Sequence, residues 1–199
     1  MVAAICALLA VWKNIPIMID LVNQPEYAYE FRERGARWVH RGNYERAVSD
    51  FSEAIRRDPQ YASAYENRAA TYLLMGELKK AANDCQSALR HGLERADSVL
   101  NCAVIFLKAG QPAKAVSLCE RVLAREPDNT RAWVIKGGGH DSLGEYEEAI
   151  AAYSRALEIN PNEPNARHNR RIAIESARNA ERAAAPKTSK TPWKQTPDN

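Results

Sequence analysis

The stretch at residues 130–161 reads TRAWVIKGGGHDSLGEYEEAIAAYSRALEINP and places Gly144 between two apolar patterns of helical period. Three upstream stretches repeat this pattern at a constant spacing of 34 residues, without an insertion. The shared positions are small (Gly35, Ala69, Ala103, Gly137), large and mostly aromatic (Trp38, Tyr72, Phe106, His140), glycine (Gly42, Gly76, Gly110, Gly144) and alanine (Ala47, Ala81, Ala115, Ala149). Because a pair of short helices cannot bury its apolar face alone, the repeats predict helix pairs that stack on one another.

The glycine and proline positions predict where these helices end. Glycine takes the left-handed backbone conformation that closes a helix at little cost, so each shared glycine marks the turn inside a pair. Pro59, Pro127 and Pro161 close three of the blocks, because proline lacks a backbone N–H and restricts the residue before it. Leu93 replaces the proline of the second block, where Gly92 supplies the stop instead.

This pattern resembles the tetratricopeptide repeat (TPR) family, whose 34-residue helix–turn–helix unit carries the same residue types in the same order. The resemblance implies an all-α fold, an α-solenoid of four tandem TPR repeats at residues 28–61, 62–95, 96–129 and 130–163, followed by a C-terminal capping helix at 164–182. The first helices are predicted near residues 27–40, 61–74, 95–108 and 129–142. The second helices are predicted near residues 43–57, 77–91, 111–125 and 145–158.

The two ends of the chain differ from the repeats. Eleven apolar residues run without interruption from Val2 to Trp12, which is shorter than the roughly 20 that a spanning helix needs. We expect residues 1–22 to form either an uncleaved, membrane-contacting or signal-like segment, or an apolar helix that packs on the repeats or on a partner subunit. The first alternative favours membrane association over a soluble cytoplasmic location. Residues 183–199 combine three prolines with three lysines and predict a flexible basic tail.

Composition and motifs argue against catalysis and against metal binding. The chain has 28 Lys and Arg against 25 Asp and Glu, and this net charge of +3 is too small to indicate nucleic-acid binding. The four cysteines and four histidines show no metal-ligand spacing. Gly137-Gly138-Gly139 is followed by His140 and Asp141 instead of the lysine and hydroxyl residue of a phosphate-binding loop. We therefore expect no enzyme activity, no metal and no cofactor.

The resemblance implies that the first helices line a groove that binds a protein or peptide. The residues predicted to line it are Arg32, Ala36, Val39 and His40 in the first block, Glu66, Asn67, Ala70 and Leu74 in the second, Asp97, Asn101, Val104 and Lys108 in the third, and Arg131, Ile135, Gly138 and Asp141 in the fourth. Their mixed charges favour a protein segment over a simple polyanion. The predicted function is a protein-interaction scaffold or adaptor. The alternative is a structural or assembly subunit of a larger membrane-associated complex.

One TPR subclass clamps the C-terminal carboxylate of chaperone tails with basic and asparagine side chains. Arg32 and Asn67 fit that clamp, but Ala36 stands where its first asparagine belongs. Asp97 and Asn101 stand where its basic pair belongs. Because a carboxylate ligand needs converging cationic donors and an aspartate repels it, we do not expect this chain to bind chaperone tails.

Two features leave alternatives open. The Asn67 amide can both donate and accept hydrogen bonds, so it either binds an extended peptide backbone or only links neighbouring helices. Gly138 and Gly139 each cost about 1 kcal/mol relative to alanine inside a helix. They indicate either a flattened patch of the groove wall, where a partner backbone approaches, or a locally loose helix.

Overall fold

The computed structural model describes residues 27–184, and these residues form α-helices joined by short turns. The helices are α1 (Ala28–His40), α2 (Tyr44–Arg57), α3 (Ala62–Leu74), α4 (Leu78–Arg90), α5 (Ala96–Lys108), α6 (Pro112–Leu123), α7 (Thr130–Leu143), α8 (Tyr146–Ile159) and α9 (Pro164–Ala184). Each lies within two residues of its predicted limits, and the described residues contain no strand. The predicted all-α fold is confirmed. The hypotheses on residues 1–22 and on the tail beyond residue 184 lie outside the described residues.

The turns inside the helix pairs depend on glycine. Gly42, Gly76, Gly110 and Gly144 have φ angles of 72°, 78°, 71° and 78°, as the sequence predicts. Gly92, with φ of 87°, takes over the stop where the second block lacks its proline, and the Leu93 N–H then donates to the Ala88 carbonyl. In this left-handed region a side chain with a Cβ is strained, so these turns require glycine.

The small shared positions allow the two helices of a pair to approach closely. A Cβ added to Gly35 on α1 would lie 2.7 Å from Cε1 of Phe51 on α2. A Cβ added to Gly137 on α7 would lie 2.6 Å from Cε1 of Tyr153 on α8. Both distances are well below van der Waals contact, so an aromatic ring of the second helix occupies the place of the missing side chain.

The helices group into two compact units, of which the first ends at Ala109. In this first unit α1 packs on α2, α3 packs on α4, and the first helices α1, α3 and α5 are neighbours in that order. A core cluster of Phe31, Ala54 and Ala64 joins the first repeat to the second. The first unit therefore places the predicted groove faces of α1 and α3 side by side.

The second unit begins at Gly110 and contains α6 to α9. Tyr153 is one of its largest fully buried side chains, and it clusters with Ala149 and Ala156 of α8 and with Ala166 and Ala173 of α9. Two alanines of α9 thus cover the apolar side of the last repeat. The prediction of a capping helix is confirmed.

The three consecutive glycines of α7 include a second close-packing position, Gly139, that the sequence did not reveal. The helix runs unbroken from Thr130 to Leu143. A Cβ on Gly139 would lie 2.5 Å from Cγ2 of Val116 on α6, just as a Cβ on Gly137 would meet Tyr153 on α8. The absence of a side chain at Gly137 and Gly139 therefore allows α8 and α6 to pack closely on two sides of α7. For Gly139 the expectation of a loose helix is wrong, because the residue is buried against α6.

Candidate functional site

A cavity of about 130 Å³ lies between α1 and α3 in the first unit. We call it the α1/α3 cavity, and its lining residues are Ala36, Val39 and His40 of α1, Phe51 of α2, and Asn67, Ala70, Thr71 and Leu74 of α3. Six of these eight residues belong to the set that the sequence predicts for the groove. The structure thus brings together the predicted residues of the first two blocks around one opening.

The α1/α3 cavity has an apolar interior that is accessible from solvent. Phe51 and Thr71 are each 1% exposed, and the Thr71 hydroxyl already donates to the Asn67 carbonyl at 2.8 Å. Leu74 is 58% exposed and Ala70 is also exposed. A ligand group that enters between α1 and α3 therefore meets carbon surface, and apolar burial favours its entry.

The polar side chains at this cavity are His40 and Asn67. Within residues 27–184, neither side chain takes part in a hydrogen bond or an ion pair. His40 is exposed and Asn67 is half-buried. The interpretation that Asn67 only links neighbouring helices thus finds no support among the described residues. The amide of Asn67 keeps its donor and acceptor capacity for a ligand.

The other predicted residues of the first two blocks lie outside the cavity. The Arg32 Nε donates to the Tyr61 hydroxyl at 2.9 Å, and the same guanidinium pairs with Glu33. Arg32 therefore holds α1 to the start of α3 and is already engaged. Glu66 is half-buried next to Asn67.

The predicted residues of the third block lie on α5, which contacts α3 in the first unit. Asp97, Asn101 and Lys108 are exposed, and Val104 is half-buried. They leave α5 with one acidic, one neutral and one basic polar side chain. This mixed surface is the feature that argues against a carboxylate clamp.

The predicted residues of the fourth block lie on α7 in the second unit. Arg131 is exposed, and Gly138 and Asp141 are half-buried. Ile135 is only 8% exposed and belongs to the buried apolar core. The expectation that Ile135 projects from the groove surface is therefore corrected, because burial of an isoleucine side chain is favourable and little of it remains for a partner.

An ion pair with a buried carboxylate, which the sequence reasoning missed, fixes the orientation of α3. The Arg68 guanidinium donates to both carboxylate oxygens of Asp84 on α4, at 2.7 and 2.8 Å, and to the Ser52 hydroxyl of α2 at 2.9 Å. The hydrogen bonds that Arg68 donates to the Asp84 carboxylate hold the pKa of Arg68 above its usual value. Since Arg68 follows Asn67, this network positions the wall of the cavity.

The same arrangement occurs one repeat earlier. The Arg34 guanidinium donates to both carboxylate oxygens of Asp50, at 2.8 and 2.7 Å, and Asp50 is buried. Both pairs join residues that are 16 apart, and the pairs themselves are 34 apart. This spacing of charges is the signal by which the network could have been found in the sequence.

The described part of the chain holds no metal-binding cluster, and its cysteines are buried. No group of three or more histidine, cysteine, aspartate or glutamate side chains could hold a metal ion within residues 27–184. Cys85, Cys102 and Cys119 are buried free thiols. Burial raises the pKa of Cys119 to about 12, and the contact with Cys102 followed by burial raises that of Cys85. Thiols held in this protonated state are poor nucleophiles.

The described helices were also compared with the length and hydropathy that a membrane-spanning helix needs. No helix within residues 27–184 is both long enough and apolar enough to cross a membrane. The apolar segment at residues 1–22 lies outside this range.

The repeat pattern and the helix pairs agree with the known families that match the sequence. A family model described as "TPR repeat" matches residues 38–89, and one described as "Tetratricopeptide repeat" matches residues 103–164. The chain belongs to the tetratricopeptide repeat family. Proteins of this family are generally non-catalytic scaffolds that bind protein or peptide partners. A search of curated proteins finds no match to this TPR chain.

Solved TPR structures share the fold of this chain. A MamA protein superposes with a TM-score of 0.69 at 18% identity, over 78% of this chain and 85% of its own. YrrB, described as a TPR protein with an unusual peptide-binding site, superposes with a TM-score of 0.69 at 23% identity, over 84% and 86% of the two chains. A MamA fragment from Desulfovibrio magneticus gives 0.65 at 20% identity, over 80% and 98%. At these identities the likeness concerns the fold alone.

Proposed function

We propose that this TPR protein is a non-catalytic adaptor that binds an extended peptide segment of a partner protein along the first helices α1, α3 and α5 of its first unit. In this proposal one side chain of the peptide enters the α1/α3 cavity. The observation that carries the proposal is the cavity itself, which combines a buried apolar interior with two polar side chains that have no partner within residues 27–184.

The size and chemistry of the cavity favour a peptide over a cofactor. Small-molecule pockets usually measure about 300–1,000 Å³, whereas this cavity measures about 130 Å³. That volume suits a single apolar side chain. The Asn67 amide can donate to a backbone carbonyl and accept from a backbone N–H, which is the pattern that an extended peptide offers. The peptide-binding site named for YrrB supports the proposal by analogy.

A random peptide library displayed on phage tests this function. The full chain is the bait, and an Ala70→Trp variant is the counter-selection bait because a large ring at this exposed lining position fills the cavity. Ala151→Trp is the matched control, since Ala151 is an exposed alanine on α8 outside the site. We expect peptides with a recurring apolar residue that bind the native chain and Ala151→Trp but not Ala70→Trp.

The polar side chains give the second part of the test. For a selected peptide, we expect Asn67→Ala to weaken binding by about tenfold, which is the typical cost of lost hydrogen bonds to a buried backbone group. Peptides that bind Ala70→Trp as tightly as the native chain would exclude the cavity as their site. The adaptor proposal then fails for this groove.

The assembly-subunit alternative depends on the apolar run of residues 1–22. In this alternative the segment holds the protein at a membrane while the repeats bind other subunits. Deletion of residues 1–22, followed by fractionation of cells and size-exclusion chromatography, tests it. Loss of the protein from both the membrane fraction and a high-mass complex supports the alternative, and an unchanged distribution contradicts it.

A further inference from the structure

The C-terminal helix α9 carries a line of arginines on one side. Arg167, Arg171, Arg178 and Arg182 follow each other at helical spacings, with Ile174 between the second and the third. All four arginines are exposed, and they line one solvent-accessible surface of α9 together with Ile174. We call this surface the α9 arginine face. The 15 residue steps from Arg167 to Arg182 correspond to about 22 Å along the helix axis.

The arginine face takes no part in the packing of α9 on α8. That contact uses Ala166 and Ala173. The Arg167 guanidinium donates to the Pro161 carbonyl at 2.7 Å. Arg171, Arg178 and Arg182 make no ion pair with any residue that the structure describes. Three guanidinium groups are therefore available to an anionic ligand.

Comparison with the residues 34 positions earlier shows that the α9 arginine face corresponds to a surface of α7 on which another helix packs. Counting back 34 residues from Arg167, Arg171 and Ile174 gives Trp133, Gly137 and His140 of α7. In α7 this side packs on the helix that follows, because Trp133 contacts the α8 cluster and Gly137 meets the Tyr153 ring. Helix α9 thus exposes the side on which a first helix of this fold receives a second helix.

The residue types on α9 define what this surface can receive. Arg171 stands at the small position of the repeat, and Arg167 stands at a large apolar position. An apolar helix therefore cannot pack closely on this face without burying unpaired charge. A helix that carries carboxylates can, because each guanidinium forms a bidentate, charge-assisted pair with a carboxylate. We propose that the α9 arginine face binds an acidic helical segment of a partner protein, with an apolar residue of that segment on Ile174.

The charge pattern favours an acidic protein helix over a nucleic acid. Residues 164–199 contain eight of the 28 basic residues of the chain and only three of its 25 acidic residues. Glu175 lies on the same surface of α9 as the arginines. A continuous phosphate backbone would be repelled at Glu175, whereas a helix can place a lysine or a neutral residue opposite it.

Fluorescence anisotropy with a designed peptide tests the proposal on the full chain. The probe is a labelled helical peptide of about 20 residues, with glutamates spaced to face the four arginines and a leucine to face Ile174. A second peptide has the same charges but contains two prolines that break the helix. The protein variants are Arg171→Glu/Arg178→Glu and the matched control Arg37→Glu/Arg125→Glu, which makes the same charge change at exposed arginines outside α9.

We expect the native chain and the control variant to bind the helical probe equally, and Arg171→Glu/Arg178→Glu to bind at least about tenfold more weakly. The proline-containing peptide should also bind more weakly than the helical probe.

Two outcomes would overturn the proposal: the two protein variants weaken binding equally, or the two peptides bind equally well. If a single-stranded RNA or phosphatidylserine vesicles bind through Arg171 and Arg178 while the peptide does not, the ligand is of another class and the proposal is likewise wrong. Arg171→Gln/Arg178→Gln replaces the reversal if circular dichroism shows that the reversal unfolds α9.

Discussion

Glycine has two different physical roles in this chain. At Gly144 the backbone has a φ of 78°, and an added Cβ would meet nothing within 4 Å, so the backbone conformation alone requires glycine. Gly139 lies inside the regular helix α7, and there the neighbouring atom Cγ2 of Val116 excludes a Cβ. A substitution at Gly139 therefore acts through a single identifiable contact, which makes its effect testable.

Replacement of Gly139 by alanine is expected to destabilise the protein. The clash with Val116 should cost about 1–3 kcal/mol, against a gain of about 1 kcal/mol in helix propensity. In a Val116→Ala background the clashing atom is absent, so the same Gly139→Ala change should be neutral or stabilising. Urea unfolding followed by circular dichroism measures both differences. An equal loss in the two backgrounds would show that Val116 is not the cause.

Glu53 is expected to contribute to the pH dependence of stability. Hydrogen bonds from Arg56 and then Arg57 lower the pKa of Glu53 from 4.5 to about 2. Because the folded-state pKa is depressed, this contribution is fully present above the unfolded pKa near 4.5 and is lost as the pH falls through about 2. Both arginines are exposed to solvent, so the effect is small.

We expect the native chain to melt at a higher temperature than Glu53→Gln at pH 5. This difference in melting temperature should shrink as the pH falls to about 2. Thermal melts across this range measure it. Glu94→Gln is the control, because it makes the same chemical change at an exposed glutamate in the turn between α4 and α5. A difference that stays constant with pH would rule out this role of the arginine contacts.

At the scale of elements, buried charge holds the helices that form the α1/α3 cavity. Asp84 is 6% exposed, and both of its carboxylate oxygens accept from Arg68, which also donates a hydrogen bond to Ser52. Three helices, α2, α3 and α4, thus meet at one guanidinium. A buried pair of this kind adds little net stability over an apolar replacement, but loss of one partner leaves an uncompensated charge.

Asp84→Ala is expected to destabilise the protein by about 3 kcal/mol, because Arg68 then stays buried without its counter-ion. The double variant Arg68→Leu/Asp84→Leu should recover most of this loss. Urea unfolding measures both, and Glu158→Ala is the control, since it removes one of the two carboxylate partners of the exposed Arg155. If Asp84→Ala and Glu158→Ala shift the urea midpoint of unfolding equally, the buried pair stabilises the protein no more than an exposed pair does.

At the scale of the whole molecule, local sequence determines the helices, but packing determines which side chains are available to partners. The helix limits were predictable because Gly42, Gly144 and Pro161 act through their own backbone geometry. Six cavity residues were predictable because repeat position fixes the side of the helix. Ile135 and Gly139 were not, because their burial depends on neighbouring helices. Phe51 was missed as a cavity residue because it lies on a second helix.

The two proposed surfaces belong to different units, and we expect them to bind their partners independently. The α1/α3 cavity is built from α1, α2 and α3, whereas the arginine face lies on α9. No residue is common to the two sites, so neither ligand removes a contact from the other. Calorimetric titration of the acidic helical probe into protein saturated with a cavity peptide measures their coupling. The Kd should change by less than about twofold, which is well under 1 kcal/mol of coupling free energy.

Variants at each site provide the controls for this independence. Ala70→Trp should abolish binding of the cavity peptide and leave the probe unaffected, and Arg171→Glu/Arg178→Glu should do the reverse. Such a result makes the protein a bivalent adaptor, in which one partner contributes an extended segment and the other a helix. Competition between the two ligands would instead mean that they share one surface. In that case at least one of the two sites is assigned to the wrong part of the molecule.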